Sequence, residues 1–362
     1  MSREETKVVL QMKEKILKYV GRGLLVFFTT VFVLVGTLLL MMNSFCNGPS
    51  PKAKQVFVTT ILETGALKFL ASWFLSPEEI QAVVDSNSME EFNEEIDDSL
   101  IDIGAVGTQS GNDKVGEDIE IIEIAGRTFY ATLMIVKDPS RVSLATIYPW
   151  REYGDNLDVL VEENGAIAGI NGGLYNATNN AGGSPLGVVV SNGEIQMNDP
   201  QGRPGYVMVG LTEDNILVMV DVSDMTPNDV VQMVKEKKIR DAVTFQEENS
   251  DKNNHFVQLI INGKERQMNG AGSGLNPRTA IGQRADGALL LLVTDGRGSS
   301  GHLGAAASDL INVMAEYGAV NAANIDGGSS SCMYYEGEYL MSSVTLYYEN
   351  SSRKLPFAFI VK

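Results

Sequence analysis

The chain has 362 residues, 44% hydrophobic and 20% charged, which is the balance of a globular protein large enough for one big domain or two ordinary ones. Its 46 acidic against 28 basic residues give a formal net charge of −18, which excludes the basic footprint of a nucleic-acid binder. Two cysteines, Cys46 and Cys332, and two histidines, His255 and His302, exclude a disulfide framework, Cys-x-x-Cys zinc and a His-rich metal centre, while an oxygen-ligand calcium site stays permitted.

Residues 1–22 form a basic tail, with Arg3, Lys7, Lys13, Lys15, Lys18 and Arg22 against Glu4, Glu5 and Glu14. Residues 23–43 follow without a charge, and 24–42 are largely apolar, long enough for a helix to span a bilayer. The positive-inside rule puts the tail in the cytoplasm and everything after the span outside. The apolar run is longer than that of a usual signal peptide, so an uncleaved, single-pass signal-anchor is expected. No small-x-small cleavage site stands at 43–46, and the bulky Phe45 before Cys46 argues against a lipoprotein. The exported body, residues 51–362, then carries −21.

Residues 44–84 read as a membrane-proximal amphipathic helical segment, its apolar spacing interrupted by Glu63 and Lys68 and a break expected near Ser76-Pro77. It is either an ordinary packing helix or an interfacial one with Trp73 at headgroup level. Residues 85–119 are acidic, with Lys114 the lone basic residue and Gly104, Gly107, Gly111 and Gly116 as punctuation. They are expected to be a mobile spacer.

From residue 120 to 362 the pattern changes to short strand-like runs at 129–136, 142–147, 188–190, 216–220, 256–261, 289–293 and 357–361. Asn192-Gly193, Asn262-Gly263, Asp286-Gly287 and Glu336-Gly337 are the hairpin signals between such runs. Two helices are predicted, 228–238 and 308–317, the second with Ser308 as N-cap and Gly318 as its stop. The fold class is therefore α+β, a single mixed sheet-and-helix catalytic domain preceded by a transmembrane helix and an acidic linker.

Four glycine-rich segments concentrate chemistry: 169–175 (GINGGLY), 276–282 (NPRTAIG), 295–304 beginning Asp-Gly-Arg, and 321–331 (NAANIDGGSSS). Asp295 and Asp326 each end an apolar run and precede Gly, so a rigid strand holds a carboxylate at a loop that a ligand can approach. Two such carboxylates in one pocket suffice for acid/base or nucleophilic cleavage of a glycosidic bond. The successive N–H groups and hydroxyls of 327–330 can nest an anion, and Arg278 and Arg297 offer forks for phosphate. His302 is expected to line the site as a donor; His255 is expected at the surface. No G-x-S-x-G elbow, Walker loop or dinucleotide spacing occurs.

Taken together and in order, NGGLY at 171–175, SNGEI at 191–195, NPRTAIGQRADG at 276–287, LLVTDGR at 291–297 and YGAVNAANIDGGSSSCMYYEG at 317–337 resemble the phosphodiester glycosidase family. The resemblance covers residues 120–362. It implies hydrolysis of a sugar-1-phosphodiester, N-acetylglucosamine-type, at the C–O bond; surface glycopolymers or exopolysaccharide are the expected substrates and no cofactor is required, the alternatives being a phosphodiesterase cutting P–O and a non-catalytic glycan-binding module of the envelope. By resemblance Asn171, Gly172, Arg278, Asp295, Arg297, Asp326, Gly327 and Gly328 fall on motif positions. Asp295 and Asp326 are the catalytic candidates. Asn171, Gly172, Gly173, Arg278, Arg297, His302, Gly327, Gly328 and Ser329 are the substrate and phosphate candidates. Ser329 stands where a third glycine is frequent.

Overall fold

The computed structural model describes residues 3–63, 67–92, 94–104, 118–202, 205–246, 256–298, 301–342 and 350–362. His255 and the middle of the acidic segment lie outside these residues.

The chain opens with one long helix, α1 (Arg3–Asn47). Its part from Met12 to Asn47 is long and apolar enough to cross a membrane, and the rest of the protein covers none of its most apolar window. Such a helix suits a membrane anchor or a signal sequence.

α2 (Pro51–Glu63) turns back against the end of α1. Phe57 stacks on Phe45 with ring centroids 5.1 Å apart, and Ile61 clusters with Met42 and Ala71. α3 (Pro77–Asp85) starts at the expected break, where Ser76 and Glu79 form a reciprocal capping box with Pro77 in the first turn. The segment divides between its two readings. Val58, Thr59 and Ile61 are buried by packing, whereas Leu67, Phe69 and Trp73 stay exposed.

The acidic segment is not a free spacer over its described part. Asn87 donates to Ser273 O at 2.9 Å and accepts from Ala271 N at 2.8 Å. Met89 bridges to Met268, Arg266 donates to Glu90 O at 2.7 Å, and Lys264 pairs with Glu94 at 2.9 Å. Phe92 and Ile96 pack against the main core. Basic partners distant in sequence and two apolar anchors hold the segment where local composition alone predicts mobility.

Among the described residues, the body consists of strands and three short α-helices. In chain order these are β1 (Ile119–Ala125), β2 (Tyr130–Val136), β3 (Val142–Thr146), α4 (Leu157–Glu163), β4 (Ala168–Asn171), β5 (Val188–Ser191) and β6 (Glu194–Asn198). There follow β7 (Tyr206–Thr212), β8 (Leu217–Asp221), α5 (Pro227–Glu236), β9 (Ile239–Gln246), β10 (Gln258–Ile261), β11 (Lys264–Glu265) and β12 (Thr279–Arg284). The chain closes with β13 (Leu289–Thr294), α6 (Ala307–Glu316), β14 (Ala319–Ile325), β15 (Cys332–Tyr335), β16 (Glu338–Ser342) and β17 (Phe357–Val361).

These strands make three antiparallel sheets, ordered β1-β2-β13-β12-β14-β10-β11, β16-β15-β4-β17-β3 and β6-β5-β9-β7-β8. All three turn one face to a common core, in which Leu291 and Ile281 meet Ile170 and Phe359, and Val209 and Phe245. Each opposite face is covered by a helix. Leu290 and Leu292 pack on α6, Ile360 and Ala358 on α4, and Met208 and Val190 on α5. Two covered faces explain the continuous apolar run of β13, whose odd and even residues enter different cores. Each such fully buried side chain contributes about 1.5–3 kcal/mol.

The Asn192-Gly193, Asn262-Gly263 and Glu336-Gly337 turns have positive φ at both positions, as a two-residue hairpin of matching twist requires. α5 starts with Thr226 and Asp229 capping each other. α6 departs from expectation: its N-cap is Ala306, not Ser308, and the carboxylate of Asp309 accepts the Ala306 N–H at 2.8 Å.

Candidate active site

The site lies where β12 begins and its antiparallel neighbours β13 and β14 end. β12 runs between the other two, and its Thr279 pairs with Val293 on one side and Ile325 on the other. Arg278, one residue earlier, therefore sits between Thr294 and Asp326. It donates its N–H to Thr294 Oγ1 at 2.9 Å and accepts from Thr294 N at 2.8 Å. The loops leaving these strands enclose a cavity of about 410 Å³. Arg278, Arg297, Asp326, Gly327, Gly328 and Ser329 line it, so six of the predicted residues meet there.

Asp326 is fixed from below. Its N–H donates to Gly172 O at 3.2 Å, and its carbonyl accepts from Asn171 Nδ2 at 2.5 Å. Asn171 is fully buried, and its own Oδ1 accepts from Thr279 Oγ1 at 2.8 Å and Cys332 N at 3.2 Å. Burial pushes the Asp326 carboxyl up to about 6, against the opposing pull of the Ser330 hydroxyl, Arg353, the Gly327 N–H and Arg297. Ser330 Oγ lies 2.9 Å from the hydroxyl of Tyr175, whose ionisation is pushed up by burial and then by Asp326.

The two arginines have different settings. Arg297 has a positive φ of 56° and holds Asn276 Oδ1 at 3.3 Å and Ser329 Oγ at 2.7 Å. Burial, then Arg278 and Arg353, make its charge harder to keep. Gly328 at φ 62° passes under this guanidinium, and the left-handed backbone there is what requires glycine. Arg278 is nearly buried. It donates to Glu63 Oε2 at 2.5 Å, Ser273 Oγ at 3.1 Å, Gly274 O at 2.9 Å and Ala305 O at 3.3 Å, and lies 5.3 Å from the Phe256 ring centroid.

The structure separates Asp295 from Asp326. β12 intervenes between their strands, and adjacent strands lie about 4.8 Å apart. Asp295 Oδ1 accepts from Tyr130 N at 2.6 Å, and Oδ2 pairs with His302 Nδ1 at 2.6 Å. Neither Asp295 nor His302 is among the residues lining the cavity. Gly172 and Gly173 are also absent from that lining. A Cβ on Gly172 would stand 2.7 Å from the Phe357 ring, and one on Gly173 2.3 Å from Thr244 O, so both serve close packing beneath the site. Asn171 acts through the Asp326 backbone rather than from the cavity wall.

The lining residues to which the sequence assigned no role include Glu63, Tyr175, Asn276 and Arg353. Tyr175 and Asn276 lie inside the glycine-rich segments. Glu63 had a signal of its own, as a charge breaking an apolar helical face. Arg353 stands in an unremarkable stretch, held by donation to Ala177 O at 2.8 Å and Asn180 Oδ1 at 3.2 Å. Among the described residues, no three His, Cys, Asp or Glu side chains gather as metal ligands. The arrangement offers one proton-exchanging carboxyl and a cationic wall, the equipment for a reaction in which an anionic group departs.

A family model described as phosphodiester glycosidase matches residues 164–362. Among solved structures, the zebrafish N-acetylglucosamine-1-phosphodiester α-N-acetylglucosaminidase catalytic domain, auto-inhibited by its pro-peptide, aligns with a TM-score of 0.52. Identity is 18%, over 70% of this chain and 85% of that one, a likeness of fold. A hypothetical protein from Synechocystis aligns with a TM-score of 0.41 at 16% identity, over 67% of this chain and 61% of that one. The SPbeta prophage-derived uncharacterized protein YomE of Bacillus subtilis (strain 168) is 43% identical over 65 residues. That stretch is 18% of this chain and spans a tenth of the relative's length.

Proposed function

The chain belongs to the phosphodiester glycosidase family, and from that premise we propose that it hydrolyses a sugar-1-phosphodiester at the bond between the anomeric carbon and the phosphate oxygen. The observation that carries this reading is one cavity in which a carboxyl raised to about 6 faces Arg353 and Arg297. A phosphate diester enters as a monoanion. Water adds its oxygen to the anomeric carbon, the C–O bond breaks, and the electron pair stays on the departing phosphate. One proton is left over.

Asp326 takes that proton from the attacking water, since a base with affinity near the working pH is the most effective. Arg297, held ready by Asn276 and Ser329, neutralises the charge growing on the phosphate. Arg278, paired with Glu63, shapes the cavity wall beside it without adding net charge. Asn171 and Gly172 hold the Asp326 backbone, and the Gly327 N–H bonds the Asp326 carboxyl while the Gly328 N–H is tied to Pro277 O at 2.8 Å. Asp295 and His302 brace the neighbouring loop instead of reacting.

The zebrafish enzyme named above acts on an N-acetylglucosamine-1-phosphodiester, so N-acetylglucosamine is the first sugar to offer. With α1 as a membrane anchor and the body outside, surface glycopolymers or exopolysaccharide are the natural macromolecular substrates. The test uses the full chain in detergent, because Glu63 of α2 lines the cavity. UDP-N-acetylglucosamine is supplied and the products are weighed by mass spectrometry. Free sugar plus UDP, lost in Asp326→Asn, supports the reading. Sugar-1-phosphate moves the attack to phosphorus and overturns it. Binding without turnover across sugars and wall-polymer fragments makes the chain a glycan-binding module.

A further inference from the structure

We propose that Glu63 sets the charge the cavity accepts, favouring singly charged phosphodiesters over doubly charged phosphomonoesters and so expelling the product. The inference rests on the cavity being a phosphodiester site. Its grounds are geometric.

The Glu63 side chain is 4% exposed and receives three donors: Gly274 N at 2.5 Å, Asn276 Nδ2 at 2.7 Å and Arg278 Nη2 at 2.5 Å. It cannot swing away from Arg278 without leaving all three. It therefore cancels the charge of one guanidinium that looks, from the sequence, like an open phosphate fork. Arg297 hydrogen-bonds neutral oxygens, those of Asn276 and Ser329, and Arg353 holds Ala177 O and Asn180. Among the described residues lining the cavity, the charged ones are three arginines and two carboxylates, Glu63 and Asp326. With Asp326 ionised, the lining carries one net positive charge.

A diester brings one negative charge and balances it. Hydrolysis then turns the diester into a monoester, whose second ionisation near pH 6 makes it a dianion at neutral pH. Once Asp326 has released the proton it took from water, the product exceeds the lining's charge by one and sits near a carboxylate, Glu63, with no freedom to retreat. Substrate and product differ little in shape at the phosphorus, so charge is the property that separates them. Without Glu63 the lining would carry two positive charges and would hold the product better than the substrate.

The experiment is calorimetric titration of the full chain in detergent at pH 8 with two small probes, dimethyl phosphate as the monoanion and methyl phosphate as the dianion. Wild type is expected to bind dimethyl phosphate at least as tightly as methyl phosphate. Glu63→Gln, which keeps the size but turns one of the two acceptor oxygens into a donor, is expected to tighten methyl phosphate about a hundredfold and dimethyl phosphate about tenfold, since the Coulomb term scales with probe charge. Glu63→Asp keeps the charge and should keep the wild-type preference. Arg297→Gln should weaken both probes, which locates them in this cavity.

An equal gain for both anions in Glu63→Gln overturns the proposal and makes Glu63 a plug of the site. Equal loss makes it a positioning residue for Arg278, and no change makes it structural. If the probes bind but ignore Arg297→Gln, or bind neither protein, the phosphodiester reading of the cavity itself fails.

Discussion

Asp295 and Asp326 stand in the same local sequence, an apolar strand followed by Asp-Gly, on the same sheet and at the same end. Their surroundings give them opposite tasks. Asp295 is absorbed by the start of β2 and by His302, with both oxygens engaged. Asp326 is half-buried in the cavity wall, and its carboxyl is pushed up to about 6. The difference lies across the chain: Tyr130 presents an N–H to one, while the other meets Ser330, Arg353 and Arg297. A strand-end carboxylate followed by glycine identifies a rigid holder, and the contacts brought by distant segments decide what is held.

The comparison breaks or sharpens most under Asp326→Asn. The catalytic rate should fall by about 10²–10⁴-fold, the usual range for a lost acid or base. Stability should move the other way. The folded carboxyl, at about 6, lies above its unfolded value near 4, so the folded chain binds more protons between those values. Its stabilising share is full below pH 4 and is lost as pH rises through 6, about 3 kcal/mol by pH 8. The asparagine variant should lack that loss and melt higher than wild type at pH 8, by calorimetry.

Arg297→Lys comes next. An ammonium cannot span Asn276 and Ser329 as the guanidinium does, and kcat/KM should fall about ten- to a hundredfold in steady-state assays. Asp295→Ala should do the reverse of Asp326→Asn. It strips the Tyr130 N–H of its partner and should cost about 1–3 kcal/mol in urea melts while folded molecules keep their kcat. A collapse of kcat with an intact fold would exchange the roles of the two aspartates.

The smallest effect is expected in the pH profile. In wild type and Asp295→Ala alike, kcat/KM should rise with pH through about 6, as the Asp326 base form appears. A shift of that limb in Asp295→Ala alone would connect the two carboxylates.

The strands legible in the sequence are those made of uninterrupted apolar residues, such as β13 and β17, and those ending at Asn-Gly turns. β9 and β12 were hidden because Asp241, Gln246, Thr279 and Gln283 are polar and buried at once. Gln283, for instance, accepts from Leu217 N at 2.7 Å and donates to Asn215 O at 2.8 Å, partners that no periodicity reveals. The grouping into three sheets follows from pairings such as β12 with β14 that cross long stretches of chain.

At the site, Arg278, Arg297 and the 326–329 loop were readable because strand ends and glycines lie close in sequence to the side chains they present. The joint pocket for both aspartates was not, since it depended on strand order. Glu63 reaches the cavity from more than two hundred residues away, in a helix whose apolar face suggested only packing.

That helix also sets a working height. α2 doubles back on α1, with Ile61 clustered with Met42 and Phe57 stacked on Phe45, and its last residue closes the cavity. With α1 retained in a bilayer, the reacting centre cannot drift outward on a slack leash. It is held near the level of the final turns of α1, alongside the exposed Leu67, Phe69 and Trp73. For the polymer substrates proposed above, sampling would then depend on how closely they approach the membrane face, with distance from the lipid a selector beside chemistry.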